Sequence, residues 1–370
     1  MHILILSCNT GGGHNSAAAA LEEAITDLGH QCSVINALEF LPKATSELLS
    51  RGHNFLYRHT PWLFGVGYRF EEKYQSAMIY DQNAKGAGPL LKVLQERKPD
   101  AVICVHVFSA MMMTELRRNY GVKLPCWFVA TDYTCSPGVG ELDMDGFCIP
   151  HKDLTEEFIA GGVPAEKIIP TGIPVRKIFS LDFPQQQARQ MLGLEHHRRV
   201  VVLACGSMGA GPMRDTARCI QSLLAENDKL VAICGSNKRL RKQLEEDFWY
   251  QSHQVQVLGF TDQMSLYMHA ADLLITKAGG LTTAEALEAE VPVLYLDAVP
   301  GCETHNLDFM ADRGFCLAAS CDEDLQPVLM GIQSGAIDLD TMIQRRRGNF
   351  PRHAAETIAR LACGAAPSAE

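Results

Sequence analysis

Two neighbouring stretches, ITKAGGLTTAEAL and PGCETHN, hold the densest chemistry in this chain: Lys277, Gly279, Gly280, Leu281, Thr282 and Glu285, then Gly301, Glu303 and Asn306. These types suit a nucleoside diphosphate sugar, which makes three demands at once. Its phosphates need backbone N–H groups, its ribose diol needs a carboxylate, and its sugar needs hydrogen-bonding side chains. Paired glycines let the backbone approach a phosphate, and the helix they open adds unpaired N–H groups and partial positive charge. Glu285 would accept two hydrogen bonds from the diol. A purely structural account competes, because Thr282 followed three residues later by Glu285 fits a capping box and PGCETHN fits an ordinary Pro-Gly turn. That account leaves the paired glycines unexplained.

Two further glycine turns follow strand-like runs. GGGH, from Gly11 to His14, places Gly12 and Gly13 before a histidine whose neutral imidazole takes a proton near physiological pH. GSMGAG, from Gly206 to Gly211, offers the amides of Gly206, Ser207, Met208 and Gly209 to a diphosphate. Each turn is equally readable as a structural one. Asp132, in VATDY, follows an apolar strand and could orient His14 or itself act as base; a turn cap is the competing reading. A nicotinamide site is disfavoured, since GGGH departs from GxGxxG and the second strand ends near Asn36 rather than at an acidic residue. The DMD at Asp143 to Asp145 matches a metal-binding DxD only in the way that chance spacing does.

The elements that must position these residues read as an α/β chain. HILILSC runs into NTGGGHNSAAAALEEAI, and RVVVLAC runs into GSMGAGPMRDTARCIQSLL; each is a buried strand, a glycine turn and an amphipathic helix. DAVICVHV, CWFVATD, GFCIP and KIIPTG continue the first half as strands, and KLVAIC, VQVLG, DLLITK and VPVLYL the second, with helices between. Such alternation predicts parallel sheets covered on both faces. With 370 residues, two domains are expected: a first Rossmann-like domain over 1–172, a connection over 173–198, a second domain over 199–345, and a closing segment over 346–370 whose helix packs back on the first. Two doubly wound domains facing across a cleft describe the GT-B architecture, with ligands beyond the carboxyl ends of the strands.

Composition narrows the partners. A formal net charge of -10 argues against a general nucleic-acid binder. The thirteen cysteines are scattered, without the close pairs of zinc or redox motifs, and read as reduced core residues. No apolar run reaches the ~18 residues of a membrane span, and Met1 leads directly into a strand without a charged leader, so a cytoplasmic location is expected. Seven aromatic residues fall between Phe55 and Tyr74, with Arg58, Arg69 and Lys73 among them. Phe55, Tyr57, Trp62, Leu63, Phe64, Tyr68 and Phe70 suit a membrane interface or lipid acceptor; a helical hairpin over the first domain's core is the alternative.

Taken in order, GGGHNSAA, the aromatic segment, VATDY, PHKDLTEEFIAGGVP, TGIPV, GSMGAG, CGSN, LGF, ITKAGGLTTAEAL and PGCETHN resemble the monogalactosyldiacylglycerol synthase and processive diacylglycerol glucosyltransferase group of glycosyltransferase family 28. The resemblance spans nearly the whole chain. It implies a second domain that binds UDP-glucose or UDP-galactose and a first that takes diacylglycerol from a membrane surface, the enzyme being peripherally attached. It assigns Gly206, Ser207, Met208 and Gly209 to the diphosphate loop, and Gly259, Phe260 and Thr261 to the turn that reads uracil. Asn237, of the CGSN block, falls on the same donor side. Glu285 becomes the ribose carboxylate, and Gly301, Glu303 and Asn306 surround the phosphate and sugar. His14 and Asp132 belong to the acceptor side, with His14 favoured as base in an inverting displacement. No cofactor and no obligatory metal are implied. Rival readings are a UDP-sugar epimerase, which has no reason to expose the aromatic segment; a non-catalytic membrane regulator; and a UDP-N-acetylglucosamine transferase acting on a polyprenyl-linked acceptor.

Overall fold

The computed structural model describes residues 1–9, 12–42, 80, 84–296, 298, 300–320 and 324–364. Phe55, Tyr57, Trp62, Leu63, Phe64, Tyr68 and Phe70 lie outside them. Two compact units are formed: unit 1 comprises Met1–Lys177, Val299–His305 and Pro351–Glu370, and unit 2 comprises Ile178–Ala298 and Asn306–Phe350.

The chain runs β1 (His2–Ser7), α1 (Gly12–Asp27), β2 (Gln31–Asn36), α2 (Ala87–Arg97), β3 (Ala101–Cys104), α3 (Val107–Tyr120), β4 (Cys126–Val129), β5 (Gly146–Ile149), α4 (Thr155–Ala160) and β6 (Ile168–Pro170). It continues with α5 (Gln185–Met191), β7 (Arg199–Ala204), α6 (Met213–Leu223), β8 (Asp228–Ile233), α7 (Lys238–Asp247), β9 (Val255–Leu258), α8 (Met264–Ala270), β10 (Leu273–Thr276), α9 (Gly280–Glu288) and β11 (Val293–Tyr295). α10 (Cys302–Asp312), β12 (Leu317–Ala318), α11 (Leu325–Ser334), α12 (Leu339–Arg346) and α13 (Ala354–Ala362) close it.

Both sheets are parallel. Unit 1 has the order β2-β1-β3-β4-β5-β6 and unit 2 the order β12-β11-β10-β7-β8-β9. Strands buried on both faces need continuous apolar runs, and β3, β7 and β10 meet that need with AVIC, RVVVLA and LLIT. Each strand expected from such a run is present. β12 is the addition, two residues that pair Leu317 with Leu294. In unit 1 the core joins Ile3, Ile5 and Ile103 to Leu21 and Ile25 of α1 and to Ile358, Ala359 and Ala362 of α13. In unit 2 it joins Val201, Leu203, Leu230 and Ile275 to Met213, Leu240 and Leu244. Residues 178–198 belong to unit 2, where the Arg189 guanidinium of α5 donates to Asp272 at 2.6 Å and to the Ala270 carbonyl at 2.9 Å.

Strand order reverses between β1 and β3 in unit 1, and between β7 and β10 in unit 2. At such points two neighbouring loops leave a sheet in opposite directions and open a crevice beyond the carboxyl ends of the strands. Each unit therefore has its own place for chemistry.

Candidate functional site

In unit 1 the reversal is flanked by the turn from β1 into α1 and the turn from β3 into α3. His14 stands in the first turn of α1, half-buried, after Gly12 and Gly13. Its Nδ1 lies 3.0 Å from the Val105 carbonyl and 3.2 Å from Thr131 Oγ1. A carbonyl only accepts, so Nδ1 carries the proton and Nε2 is the basic nitrogen of the neutral ring. That tautomer suits a general base. The two turns are held in register by the Val105 N–H bond to the Leu6 carbonyl at 3.1 Å and by Ser109 Oγ, which donates to the same carbonyl at 3.1 Å. Asp132 is half-buried on the bend after β4, and its neighbour Thr131 reaches His14. The bend is tied down by Glu157 of α4, whose Oε1 accepts from Thr134 Oγ1 and the Cys135 N–H, both at 2.6 Å.

Elsewhere in unit 1, burial pushes the Cys8 and Cys126 thiols up to about 12. Burial also pushes Cys135 up to about 12, with the nearby Glu157 carboxylate adding to the shift. These thiols are inert packing at neutral pH. Asn36 is occupied as a tie: its Oδ1 accepts from the N–H groups of Asn9 and Leu38. Asp143 and Asp145 are equally engaged. Arg117 forks onto both Asp145 oxygens at 2.7 and 3.0 Å and lies 3.4 Å from Asp143, so the DMD is an ion-pair motif.

In unit 2 the donor-type residues line the carboxyl ends of β7, β8, β9 and β10. The loop after β7 holds Gly206, Gly209 and Gly211 at positive φ, +68°, +54° and +111°, a region that side chains with a Cβ rarely enter. Ser207 and Met208 lie between them. Here glycine serves backbone packing first. A Cβ on Gly209 would overlap the Cys234 carbonyl, and one on Gly235 would overlap that of Ser207, so the loops after β7 and β8 interlock. Asn237 seals the joint: its Oδ1 accepts from the Leu240 N–H at 3.0 Å, capping α7, and its Nδ2 donates to the Gly209 carbonyl at 2.9 Å. It shapes the glycine loop through its backbone. Gly209→Ala is expected to lower the urea midpoint more than Gly206→Ala, since Gly206 has a similar φ but open space where the Cβ would go. Backbone strain alone costs about 1–3 kcal/mol at either position. Equal midpoints would show that the two loops are not interlocked.

Across the reversal, α9 begins at Gly280 with Gly279 as its N-cap, and no side chain caps it. Thr282 is the third helical residue, so the capping box of Thr282 with Glu285 does not form. The N–H groups of Gly280, Leu281 and Thr282 precede the first intrahelical bond, from the Thr283 N–H to the Gly279 carbonyl at 2.9 Å. A Cβ at Gly279 would meet nothing within 4 Å among the described residues, which leaves this helix start approachable. Glu285 follows on α9, half-buried. Lys277, only 6% exposed, runs its aliphatic stem beside Gly211. Asn306, fully buried, donates from Nδ2 to the Ala278 carbonyl at 2.9 Å and so braces the turn into α9. After β9, Gly259 packs near Arg241, Phe260 is 74% exposed, and Thr261 Oγ1 accepts from the Gln263 N–H at 3.1 Å. Gly301 and Glu303, by contrast, belong to the Val299–His305 stretch of unit 1: Gly301 has φ +121° and its carbonyl accepts from the Thr304 N–H at 3.0 Å, and Glu303, buried, stands in the first turn of α10.

One residue of unit 1 was not singled out from sequence. His106 is the N-cap of α3, its Nδ1 accepting from the Phe108 N–H at 3.1 Å, and its ring stands edge-to-face against His14 with centroids 4.5 Å apart and planes at 71°. The run DAVICVHV reads as one strand; the strand ends at Cys104 and His106 opens the helix. A histidine before FSAMMMTEL, at a cap position, was the available signal.

Comparison with known proteins places this geometry among glycosyl-transfer folds. Residues 14–175 match the family described as monogalactosyldiacylglycerol (MGDG) synthase, and residues 200–299 match the glycosyltransferase family 28 C-terminal domain. A processive diacylglycerol beta-glucosyltransferase of Bacillus pumilus (strain SAFR-032) is 25% identical over 365 residues, 96% of this chain and 93% of the relative. One of the same description from Staphylococcus aureus (strain Newman) is 24% identical over 369 residues, 97% of this chain and 91% of the relative. Among solved structures, MurG of Acinetobacter baumannii aligns with a TM-score of 0.65 at 17% identity, covering 98% of this chain and 99% of that one. A putative UDP-N-acetylglucosamine 2-epimerase of Listeria monocytogenes aligns at 0.63 and 14% identity, over 96% and 94%. At those identities the structures speak to the fold, and the fold is GT-B.

Proposed function

We propose that this chain, which belongs to the monogalactosyldiacylglycerol synthase and processive diacylglycerol glucosyltransferase group of glycosyltransferase family 28, transfers a hexose from a UDP-sugar to the hydroxyl of diacylglycerol with inversion at the anomeric carbon. The observation that carries this reading is the state of His14: a histidine held with its proton on Nδ1 presents the basic nitrogen that a hydroxyl nucleophile requires. Both curated relatives are described as glucosyltransferases, which favours glucose as the hexose.

In the proposed reaction His14 Nε2 takes the acceptor hydroxyl proton as the oxygen bonds to the anomeric carbon. The bond from that carbon to the β-phosphate oxygen breaks, and its electron pair leaves with UDP. The departing charge would be met by the amides of the Gly206–Gly209 loop, by the start of α9 and by Lys277, while Glu285 holds the ribose. Asp132 stands beside Thr131 on the acceptor side. These groups make a metal non-obligatory, so a chelator is expected to leave turnover unchanged. A rate abolished by chelation and restored by a divalent ion would overturn that point. The described residues contain no helix long and apolar enough to cross a membrane. Access to the lipid would therefore rest on peripheral contact, through the aromatic segment between Phe55 and Tyr74.

The test is UDP release from UDP-glucose and from UDP-galactose, with and without diacylglycerol vesicles, together with lipid mass analysis. Lipid-dependent release with a hexosyl lipid product is expected. No release with either donor, from protein that binds UDP, would overturn the reading in favour of the epimerase, the polyprenyl-linked acceptor or the regulator.

A further inference from the structure

We infer that Asn9 and Asn36 form a carbonyl-binding subsite in unit 1, where their side-chain amides donate to an ester carbonyl of diacylglycerol while its free hydroxyl faces His14. The inference deepens the proposed function and rests on it for the identity of the lipid. Its ground is a chain of side chains laid across the carboxyl ends of β1 and β2. Ser7 and Asn36 are the last residues of those strands and pair in register. Ser7 Oγ donates to Asn15 Oδ1 at 2.9 Å, Asn15 Nδ2 donates to Asn9 Oδ1 at 3.2 Å, and the Asn9 N–H donates to Asn36 Oδ1 at 3.1 Å. A second backbone donor, the Leu38 N–H, meets the same Asn36 oxygen at 3.3 Å. Asn15 directly follows His14 on α1, so the chain is anchored beside the proposed base.

These bonds fix which way the amides point. Two backbone N–H groups converge on Asn36 Oδ1, which identifies that atom as the oxygen, and Asn9 Oδ1 is occupied by Asn15. Nδ2 of Asn9 and Nδ2 of Asn36 have no hydrogen-bond partner among the described residues, Asn9 being exposed and Asn36 half-buried. The pair therefore presents donors while its oxygens are occupied. Donors alone suit a group that only accepts. An ester carbonyl is such a group, whereas a hydroxylated headgroup also donates and would find its own protons unmatched. No charged side chain takes part in these bonds, which favours an uncharged oxygen over a phosphate, the usual partner of Arg and Lys. Strand order places the amides well. In β2-β1-β3, His14 reaches the β3 side through the Val105 carbonyl, and the amides lie on the β2 side. Neighbouring strands lie ~4.8 Å apart. In diacylglycerol the free hydroxyl and the nearest ester stand on adjacent glycerol carbons, so one lipid headgroup can engage both flanks.

Two substitutions remove the donors without dismantling the chain. Asn36→Asp keeps an oxygen for both backbone N–H groups and replaces the Nδ2 donor with an acceptor, so it should melt near the parent temperature. Asn9→Ala removes the other donor without adding charge. The probes are dioleoylglycerol in vesicles and its dioleyl ether, which keeps the free hydroxyl and both chains but has no carbonyl. With the ester, Asn9→Ala should raise KM by ~2- to 12-fold at nearly constant kcat, the share carried by one neutral hydrogen bond. With the ether it should match the parent, because the interaction it removes is already missing. Asn36→Asp is read as the ratio of ester to ether kcat/KM, which cancels any effect of the added charge on His14. That ratio should fall further, since two oxygens are then opposed. Equal losses on ester and ether, or no loss on either, would overturn the inference. So would a loss confined to a hexosyl-diacylglycerol acceptor, which would give the amides to the headgroup. Binding supplies a readout independent of turnover: the side-chain amide NMR signals of Asn9 and Asn36 should shift with dihexanoylglycerol and stay in place with its dihexyl ether. A parent that transfers hexose to neither lipid would sink the transferase reading. The same titration would then still decide the subsite, with signals unmoved by the ester counting against it.

Discussion

His14→Ala should abolish nearly all hexose transfer while leaving UDP bound as tightly as before. The expected loss is ~10²- to 10⁴-fold in kcat, the range over which a positioned general base acts. His14 belongs to unit 1, at the reversal between β1 and β3, whereas the Gly206 loop, Lys277 and Glu285 belong to unit 2. Removing the imidazole should therefore leave the nucleotide's own partners in place. His14→Asn sharpens the result, because its amide can still donate to the Val105 carbonyl but has no basic nitrogen. If the ring matters as a base, Asn should be as slow as Ala; if it matters only as a spacer tied to Val105, Asn should recover most of the rate. kcat and kcat/KM should fall together, the sign of an interaction made in the transition state alone. Asp132→Asn tests the other candidate. A deeper loss there than in His14→Ala would transfer the role of base to Asp132.

Much of this was legible because parallel sheets write themselves plainly. Runs such as ILIL, VVVLA and LLIT are too short for buried helices and too continuously apolar for half-exposed strands, so they fix sheet positions. The glycines that follow β1, β7 and β10 mark the loops at the carboxyl ends. What each glycine does was less legible. Gly209 is required by the Cys234 carbonyl, 25 positions further along the chain and outside its own motif, and local spacing cannot reveal a neighbour brought in by another strand. The tie from Asn237 to the Gly209 carbonyl is hidden in the sequence for the same reason. Thr282 and Glu285 have capping-box spacing, yet the helix begins two residues before Thr282; two flexible glycines allow the backbone to turn helical early and strip the motif of its geometry. His106 escaped because a strand and the helix after it formed one apolar run, and because its partner lies 92 residues away.

Glu285→Ala is the second large effect, and it should appear in binding rather than in chemistry. Ala, the best helix former, is tolerated at the interior position of Glu285 on α9. The variant is therefore expected to fold with a melting temperature close to the parent's. UDP affinity should fall by ~10- to 150-fold, from the roughly 1.5–3 kcal/mol carried by hydrogen bonds to a charged acceptor. Glu285→Gln should fall between the two, since its amide oxygen still accepts but without charge. The ribose assignment predicts one further distinction, measurable by calorimetry: 2′,3′-dideoxy-UDP, which has no diol, should bind parent and Glu285→Ala equally, so the double change adds nothing to the single ones. Additive losses would mean that Glu285 acts elsewhere on the nucleotide, and an unchanged affinity for UDP in Glu285→Ala would remove it from the donor site. Coupled, non-additive losses would tie the carboxylate to the diol, and with it the uncapped start of α9 to the phosphates one turn away.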